Sequence, residues 1–349
     1  MMASLDLGSS EFRSLRREEQ RLIARRMPAV YTVLEDVPGN RRLLEQSQIP
    51  FSTPAGSLVV IGEPAQEVSR LLRHPLVPLL TGGVLGEQDP VSRQVCAWLI
   101  NLLLPRAQSP HDLCVMTIPC GEATGTLQDS WTPQFLEHVV QLQGYQTCVM
   151  QPAHALAIAE LEDHEFTGIC LSVGAESISF CATLHSQPVL EARPHKGTRE
   201  ILERFAHEHQ KFIWDSNGNS FLNLAAVSRW LTDSEISLVA PQTEEEAWLA
   251  SALEELLLST CFQLKRKVAA CTDSILRQPL PLLISGGITR LHGFRDLVAE
   301  SIKLSGLPVQ ISEIQPATFE PYSVSRGLLI QATLASGDYP PLRHPLEAA

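Results

Sequence analysis

Short apolar runs alternate with amphipathic stretches along most of the chain, and this pattern predicts strands that alternate with helices. The continuous apolar run at 112–119 is typical of a buried parallel strand. Amphipathic helices are predicted at 90–104, 133–143, 198–210 and 244–272. Leu102 and Phe262 are each assigned to the buried face of their helix. The pattern therefore indicates an α/β protein.

The pattern at the start of the chain returns near residue 168, which indicates two related halves. In the first half, residues 12–26 can be read as a helix or as a hairpin, and the extended, β-branched segment that follows favours the hairpin. Residues 35–57 are predicted to be rich in loops because of their prolines and glycines. In the second half, strands at 169–171 and 178–184 flank a turn. The predicted first domain spans 1–168, with an insert at about 28–75. The predicted second domain spans 169–336, with an insert at about 212–250. A last helix at 323–334 is expected to return to the first domain, and a loose tail to follow at 337–349.

The segment LLISGGITRLHGF at 282–294 joins an apolar strand to a helical pattern through two glycines. Glycine in this place lets bare backbone approach a ligand at the end of a strand. An ordinary strand-to-helix turn explains the segment equally well on its own. A second turn, DLGSS at 6–10, joins a carboxylate to small residues, as phosphate and magnesium sites do.

Charge and cysteine content exclude several classes of function. The formal net charge is −12 and the pI is near 5.4, which disfavours nucleic-acid binding. The basic residues at 13–26 alternate with glutamates and are interpreted as a solvated surface. The eight cysteines form no CxxC pair, which favours a reducing compartment over disulfides or zinc. With no signal-like start and no apolar run of membrane length, a cytoplasmic protein is expected.

Seven short motifs occur in an order and spacing that resemble the actin-like ATPase superfamily, which includes actin, heat-shock-70 chaperones and sugar kinases. Within it the chain most resembles bacterial rod-shape proteins of the MreB kind, over about residues 4–334. The motifs are DLGSS at 6–10, MPAV at 27–30, VIGEPA at 60–65, LLTGGVL at 79–85, IPCG at 118–121, QPAHALAI at 151–158 and SGG at 285–287.

The resemblance implies two actin-like (ribonuclease-H-like) domains, each with a mixed five-stranded sheet flanked by helices, around a central cleft. It implies ATP and Mg²⁺ between two phosphate-binding hairpins, with Asp6 near the metal and the glycine pair under the adenosine. It also implies self-association into filaments. The residues carried over as nucleotide-binding are Asp6, Gly8, Ser9, Ser10, Ser172, Gly174, Ser177, Gly286 and Gly287.

The sequence departs from the family pattern where the chemistry is expected. Ser172 stands where the family has an aspartate that helps to hold the metal, and Glu176 lies in the second glycine-rich run. Glu11 replaces a neutral residue of the first loop, and an unpaired carboxylate near phosphate would cost about 1–4 kcal/mol. The slot of the water-orienting glutamate holds Thr126, with Glu122 and Gln128 as substitutes.

These departures lead to the hypothesis of an actin-like cytoskeletal or scaffold protein whose ATP hydrolysis is weakened or lost, with ATP and Mg²⁺ bound weakly or not at all. Two alternatives stay open. One is an active filament ATPase in which Glu122 or Gln128 orients water, and the other is a small-molecule kinase, which is less favoured. Protein partners are expected in addition to self-association. Membrane association through the basic hairpin is disfavoured because its helical amphipathicity is poor.

Overall fold

Two five-stranded sheets of the same strand order form the centre of the protein. The computed structural model describes residues 1–18, 21–86, 89–118, 131–194, 196–215 and 218–337, and the statements below concern these residues. The strands are β1 (Met2–Leu7), β2 (Glu11–Glu18), β3 (Arg21–Pro28), β4 (Val30–Glu35), β5 (Ser57–Ile61), β6 (Val77–Pro78), β7 (Leu113–Thr117), β8 (Gln146–Val149), β9 (Gly168–Val173), β10 (Ile178–Leu184), β11 (Gln187–Ala192), β12 (Phe212–Trp214), β13 (Ser220–Leu222), β14 (Pro279–Ser285) and β15 (Gln310–Pro316).

The helices lie between these strands in the order that the alternating pattern predicts. They are α1 (Pro38–Gln46), α2 (Gly62–Leu72), α3 (Pro90–Leu103), α4 (Trp131–Leu142), α5 (Pro152–Glu160), α6 (Thr198–Glu208), α7 (Leu224–Asp233), α8 (Glu244–Ala270), α9 (Phe294–Ser305) and α10 (Ser323–Ala335). No helix in the described part of the chain is both long and apolar enough to cross a membrane.

The first sheet has the order β3-β2-β1-β7-β8, and the second has the order β11-β10-β9-β14-β15. In each sheet an antiparallel hairpin supplies one side and parallel strands supply the other. The predicted hairpin at 12–26 is confirmed by the antiparallel pairing of β2 with β3. The repeated strand order confirms the predicted pair of mixed five-stranded sheets. The domain limits at 1–168 and 169–336 remain a prediction.

The first insert contains a small sheet, β5-β4-β6, with α1 and α2 packed on it. Residues 35–57, predicted to be rich in loops, also contain α1, which the sequence pattern missed. Pro38 and Gly39 were read as a turn, but proline is also favoured in the first turn of a helix. Leu44 of α1 is fully buried against Leu58 and Val60.

The second insert contains the hairpin β12–β13 followed by α7. The sequence predicted loops and helical pieces here, and it missed the hairpin because each strand has only three residues. Asn223 caps α7 by accepting a hydrogen bond from the Ala226 amide at 3.0 Å. Trp230 stacks on Phe205 with ring centroids 4.7 Å apart, and this contact joins α7 to α6.

Two predicted core residues are exposed. Leu102 of α3 is 50% exposed and Phe262 of α8 is 54% exposed. The buried face of α8 passes through Leu257, Cys261 and Leu264, and Phe262 lies off that face. The buried face of α3 passes through Val95, Leu99 and Leu103, and Leu102 lies beside it. The 3.6-residue period decides which positions face the core, and each predicted face included a residue that lies beside the real one.

The two sheets are held together by a close contact between α5 and α10. A Cβ atom built on Gly327 of α10 would lie 1.7 Å from the carbonyl oxygen of Ala155 in α5. Helix α10 also packs on β1 and β7 of the first sheet, while α5 packs on β9 and β10 of the second. Only glycine at position 327 allows these two helices to approach so closely.

Replacement of Gly327 by alanine is therefore expected to destabilise the protein, by about 1–3 kcal/mol, because the added methyl group forces the helices apart. Thermal or denaturant unfolding measures the effect. Gly39→Ala is the matched control, since Gly39 is also helical and a Cβ atom there meets nothing within 4 Å. That variant is expected to gain about 0.5–1 kcal/mol. Equal stability of the two variants would contradict the close contact.

Candidate functional site

One cleft of about 1080 Å³ lies between the two sheets, at the carboxyl ends of β1, β9 and β14. Ligands of open α/β sheets bind at this end of the strands. The cleft brings together every described residue that the sequence singled out as nucleotide-binding. These are Asp6, Gly8, Ser9, Ser10, Ser172, Gly174, Ser177, Gly286 and Gly287. Thr126, Glu122 and Gln128 lie outside the described residues.

The first wall of the cleft is the turn between β1 and β2. Here β1 lies between β2 and β7, so that Asp6 has Arg13 on one side and Thr117 on the other. The Thr117 hydroxyl donates a hydrogen bond to Oδ1 of Asp6 at 2.6 Å. The same hydroxyl accepts one from the Leu7 amide at 3.1 Å. Asp6 is only 5% exposed, and its position is fixed by both neighbouring strands.

Arg13 is a residue of the cleft that the sequence did not single out. Its Nη1 donates to Oδ2 of Asp6 at 3.2 Å, and its Nε donates to Oε2 of Glu11 at 2.8 Å. The interpretation of residues 13–26 as a solvated surface is therefore wrong for Arg13, whose side chain is 25% exposed and lines the cleft. Burial acts to lower the pKa of Arg13, but the charges of Asp6 and Glu11 outweigh it and raise the pKa above its ordinary value.

Glu11 is neutralised within its own hairpin. Besides Arg13, it faces Arg26 of β3, whose Nε lies 3.7 Å from Oε1 of Glu11. The unpaired carboxylate that the sequence placed beside a phosphate is thus an ion-paired group. The electrostatic cost expected from Glu11 is reduced accordingly, since its charge is already balanced.

The second wall is the turn between β9 and β10, which has the same construction as the first. A Cβ atom on Gly174 would lie 2.9 Å from the Ser177 carbonyl oxygen, just as one on Gly8 would lie 2.9 Å from that of Glu11. Ser172 pairs with Ser285 across the parallel strands and carries no charge. Both turns therefore bring backbone to the cleft, but only the first brings an aspartate.

Arg199 of α6 joins the two turns across the cleft. Its Nε donates to the Glu176 carboxylate, and its Nη2 donates to the Ser9 carbonyl oxygen at 3.3 Å. A second contact of this kind joins Arg193, after β11, to the Ile118 carbonyl oxygen at 2.6 Å. Glu176 departs from the family pattern because it adds a charge to the second glycine-rich run. In the structure this charge is paired with the guanidinium of Arg199.

The third wall is the glycine pair after β14. Gly286 has φ of 126°, and a Cβ atom on it would lie 2.1 Å from the Val173 carbonyl oxygen. A Cβ atom on Gly287 would meet nothing within 4 Å. Gly286 is thus required by the close approach of β9, whereas Gly287 faces open space in the cleft. Gly287 begins a 3₁₀ turn, and α9 starts only at Phe294, later than the sequence pattern predicted.

Glu320 supports the glycine pair from the opposite side. It accepts hydrogen bonds from the Ser285 hydroxyl and, at 3.2 Å, from the Gly286 amide. The segment before Glu320 is anchored by Glu160 of α5, which accepts from the Thr318 amide at 3.1 Å and from the Phe319 amide at 3.2 Å. Burial acts to raise the pKa of Glu160, but these hydrogen bonds and those from hydroxyl groups outweigh it and lower the pKa.

The residues of the first turn do not fit a magnesium ion. Both carboxylate oxygens of Asp6 already accept hydrogen bonds, and a guanidinium stands beside Oδ2. Mg²⁺ is usually held by one or two free carboxylates and by phosphate oxygens. No group of three or more His, Cys, Asp or Glu side chains among the described residues could hold a metal ion.

A sequence model of the Volactin family matches residues 1–332, which is nearly the whole chain. The chain belongs to the volactin family. No curated protein matches its sequence.

Solved structures of actin-like proteins share the fold of this volactin-family chain. The MamK double helical filament has a TM-score of 0.64 and 16% identity, and the match covers 95% of this chain and 99% of that one. MreB5 of Spiroplasma citri bound to ADP has a TM-score of 0.62 and 11% identity, with 97% of each chain covered. The same protein bound to AMPPNP has a TM-score of 0.62 and 12% identity, again with 97% of each covered. These matches confirm the predicted actin-like fold of the MreB kind.

Replacement of Arg199 by glutamine is expected to loosen the contact between the two turns, because the bridge from Glu176 to Ser9 is lost. Hydrogen exchange of residues 8–10 and 172–177, followed by mass spectrometry, should become about tenfold faster, equivalent to about 1.4 kcal/mol. Arg204→Gln is the control, since Arg204 lies on the same helix but pairs with the exposed Glu255 at 3.7 Å. Unchanged exchange in the Arg199 variant, or the same change in both, would contradict the bridge.

Proposed function

We propose that this protein is an actin-like filament-forming protein that binds an adenine nucleotide in its cleft and has little or no ATP hydrolysis. One observation carries the proposal. The two hairpin turns and the glycine pair converge on a single cleft, so that bare backbone approaches it from three sides. Such glycine-built turns present N–H groups to phosphate.

The chemistry of the three walls supports a position for the nucleotide. The turns at 8–10 and 174–177 are assigned to the phosphates, because their backbone lines the cleft and nearby guanidinium groups offer donors and positive charge. The open space beside Gly287 is assigned to the adenosine, since no side chain fills it. MreB5 of Spiroplasma citri was solved with ADP and with AMPPNP, and this supports the choice of ligand.

Weak hydrolysis is supported by the charges of the cleft. Phosphoryl transfer depends on groups that position the nucleotide and neutralise the charge of the transferring phosphate. Ser172 supplies no carboxylate from the second turn, and Asp6 is already occupied by Arg13 and Thr117. The roles of Thr126, Glu122 and Gln128 remain predictions from the sequence.

Filament formation is supported by the match to a filament over 95% of the chain. At 16% identity, that match shows a shared fold only. Exposed apolar side chains offer contact surfaces. Leu71 of α2 is 63% exposed, Phe262 of α8 is 54% exposed and Leu304 of α9 is 57% exposed. A cytoplasmic location and further protein partners, as expected from the sequence, belong to this proposal. Sedimentation and electron microscopy without nucleotide, with ADP and with ATP test for filaments, and phosphate release tests for hydrolysis.

The nucleotide site is tested by Gly287→Val. The new side chain enters open space, so the unfolding temperature is expected to stay close to that of the unmodified protein. The same side chain occupies the proposed adenosine position, so affinity for ADP should fall by about tenfold or more in calorimetry. Gly39→Val adds the same group outside the cleft and should leave affinity unchanged. Unaltered ADP binding by the Gly287 variant would show that nucleotide does not lie against this glycine.

A further inference from the structure

We propose that Arg13 takes the place of the metal ion in this cleft, so that a nucleoside di- or triphosphate binds without a divalent cation. The inference rests on the nucleotide site proposed above and concerns what neutralises the phosphates there. The resemblance to actin-like ATPases predicted Mg²⁺ at Asp6, and the geometry around Asp6 disagrees with that prediction.

The first step concerns Asp6, which has no free carboxylate oxygen. Oδ1 accepts from the Thr117 hydroxyl at 2.6 Å, and Oδ2 accepts from Nη1 of Arg13 at 3.2 Å. The side chain of Asp6 is 8% exposed, so water has little access to it. A hydrated cation that approached Asp6 would have to displace a guanidinium that strands β1 and β2 hold in register.

The second step concerns the other carboxylates of the two turns, which also have cationic partners. Glu11 accepts from Arg13 at 2.8 Å and lies 3.7 Å from Arg26. Glu176 is paired with Arg199, and their side chains are 12% and 15% exposed. Ser172 carries no charge. Among the described residues, neither turn therefore contains an unpaired carboxylate that could bind a metal ion.

The third step is that the guanidinium of Arg13 can neutralise the charge of the phosphates, as a metal ion would. It carries a permanent positive charge and five N–H donors, of which Asp6 and Glu11 use two. The side chain is 25% exposed and lines the cleft beside Gly8 and Ser9. The remaining donors are therefore available to phosphate oxygens, with which guanidinium forms charge-assisted hydrogen bonds.

The unmodified protein provides the first test. Calorimetric titration with ADP and with ATP is carried out once in excess EDTA and once in excess MgCl₂. The affinity is expected to differ by less than about threefold between the two conditions, since the phosphate charge is met by Arg13. Binding in MgCl₂ but not in EDTA overturns this inference and leaves the proposed nucleotide site intact. No binding in either condition overturns the nucleotide site itself, and the inference with it.

The second test is Arg13→Gln, which removes the cation and frees Asp6. In EDTA its affinity for ADP is expected to fall by about tenfold or more, because a charge-assisted hydrogen bond is lost. Added MgCl₂ is expected to restore part of the loss, because Asp6 can then accept a hydrated cation. A variant that merely misfolds would lose binding in both conditions alike.

Two further variants make this test specific. Arg13→Lys keeps the charge but not the planar set of donors, so its binding in EDTA is expected to be weaker than that of the unmodified protein and stronger than that of Arg13→Gln. Arg25→Gln removes the same charge from the neighbouring strand β3, where Arg25 is exposed and donates to the Leu102 carbonyl oxygen at 2.8 Å. It should behave like the unmodified protein in both conditions. Equal losses in the Arg25 and Arg13 glutamine variants would overturn a specific role for Arg13.

Discussion

The register of strand β1 is the constraint on which the cleft depends. Because β1 pairs antiparallel with β2 and parallel with β7, one position of the strand has two fixed neighbours, Arg13 and Thr117. A shift of one residue would turn Asp6 to the other face of the sheet and separate it from Arg13 and Thr117. The sheet therefore does more than carry the turn at 8–10, since it also determines the charge next to that turn.

The same constraint makes the departures from the family pattern consistent with one another. Taken singly, Glu11 and Glu176 are unfavourable charges beside phosphates, and Ser172 is a missing ligand. In the fold, Glu11 orients Arg13, and Glu176 orients Arg199, which reaches across to Ser9. The glutamates of the two turns thus stand in ion pairs and not as free carboxylates. Truncating one partner of such a pair leaves the other buried without compensation, so these residues act as pairs.

The order of elements was predictable from the sequence because apolar periodicity reports burial directly. The repeat of hairpin and turn indicated two related halves, and the resemblance to actin-like proteins implied the two mixed five-stranded sheets that the structure has. The turn residues from Asp6 to Ser10 lie together in one cleft. Helix α1 was missed because it begins with residues that also form turns, and the β12–β13 hairpin was missed because each strand has only three residues. Phe262 was misplaced because it lies beside the buried face of its helix.

Arg13 was missed for a different physical reason. Its role depends on the pairing of two strands and on which face of the hairpin looks into the cleft, and neither is visible in a list of charges. The register of a hairpin with a turn at 8–10 pairs residue 6 with residue 13, so an arginine at that distance from Asp6 was the available signal. The surrounding glutamates obscured it, because alternating charges usually belong to a solvated surface.

In the proposed arrangement, the cation of the cleft is covalently part of strand β2. A metal ion can arrive and leave with the nucleotide, whereas Arg13 is present before the nucleotide binds and after it leaves. Arg199 and Arg193 supply contacts between the walls, at the Ser9 and Ile118 carbonyl oxygens. The positive charge of the cleft and these contacts between its walls thus both belong to arginines of the chain itself.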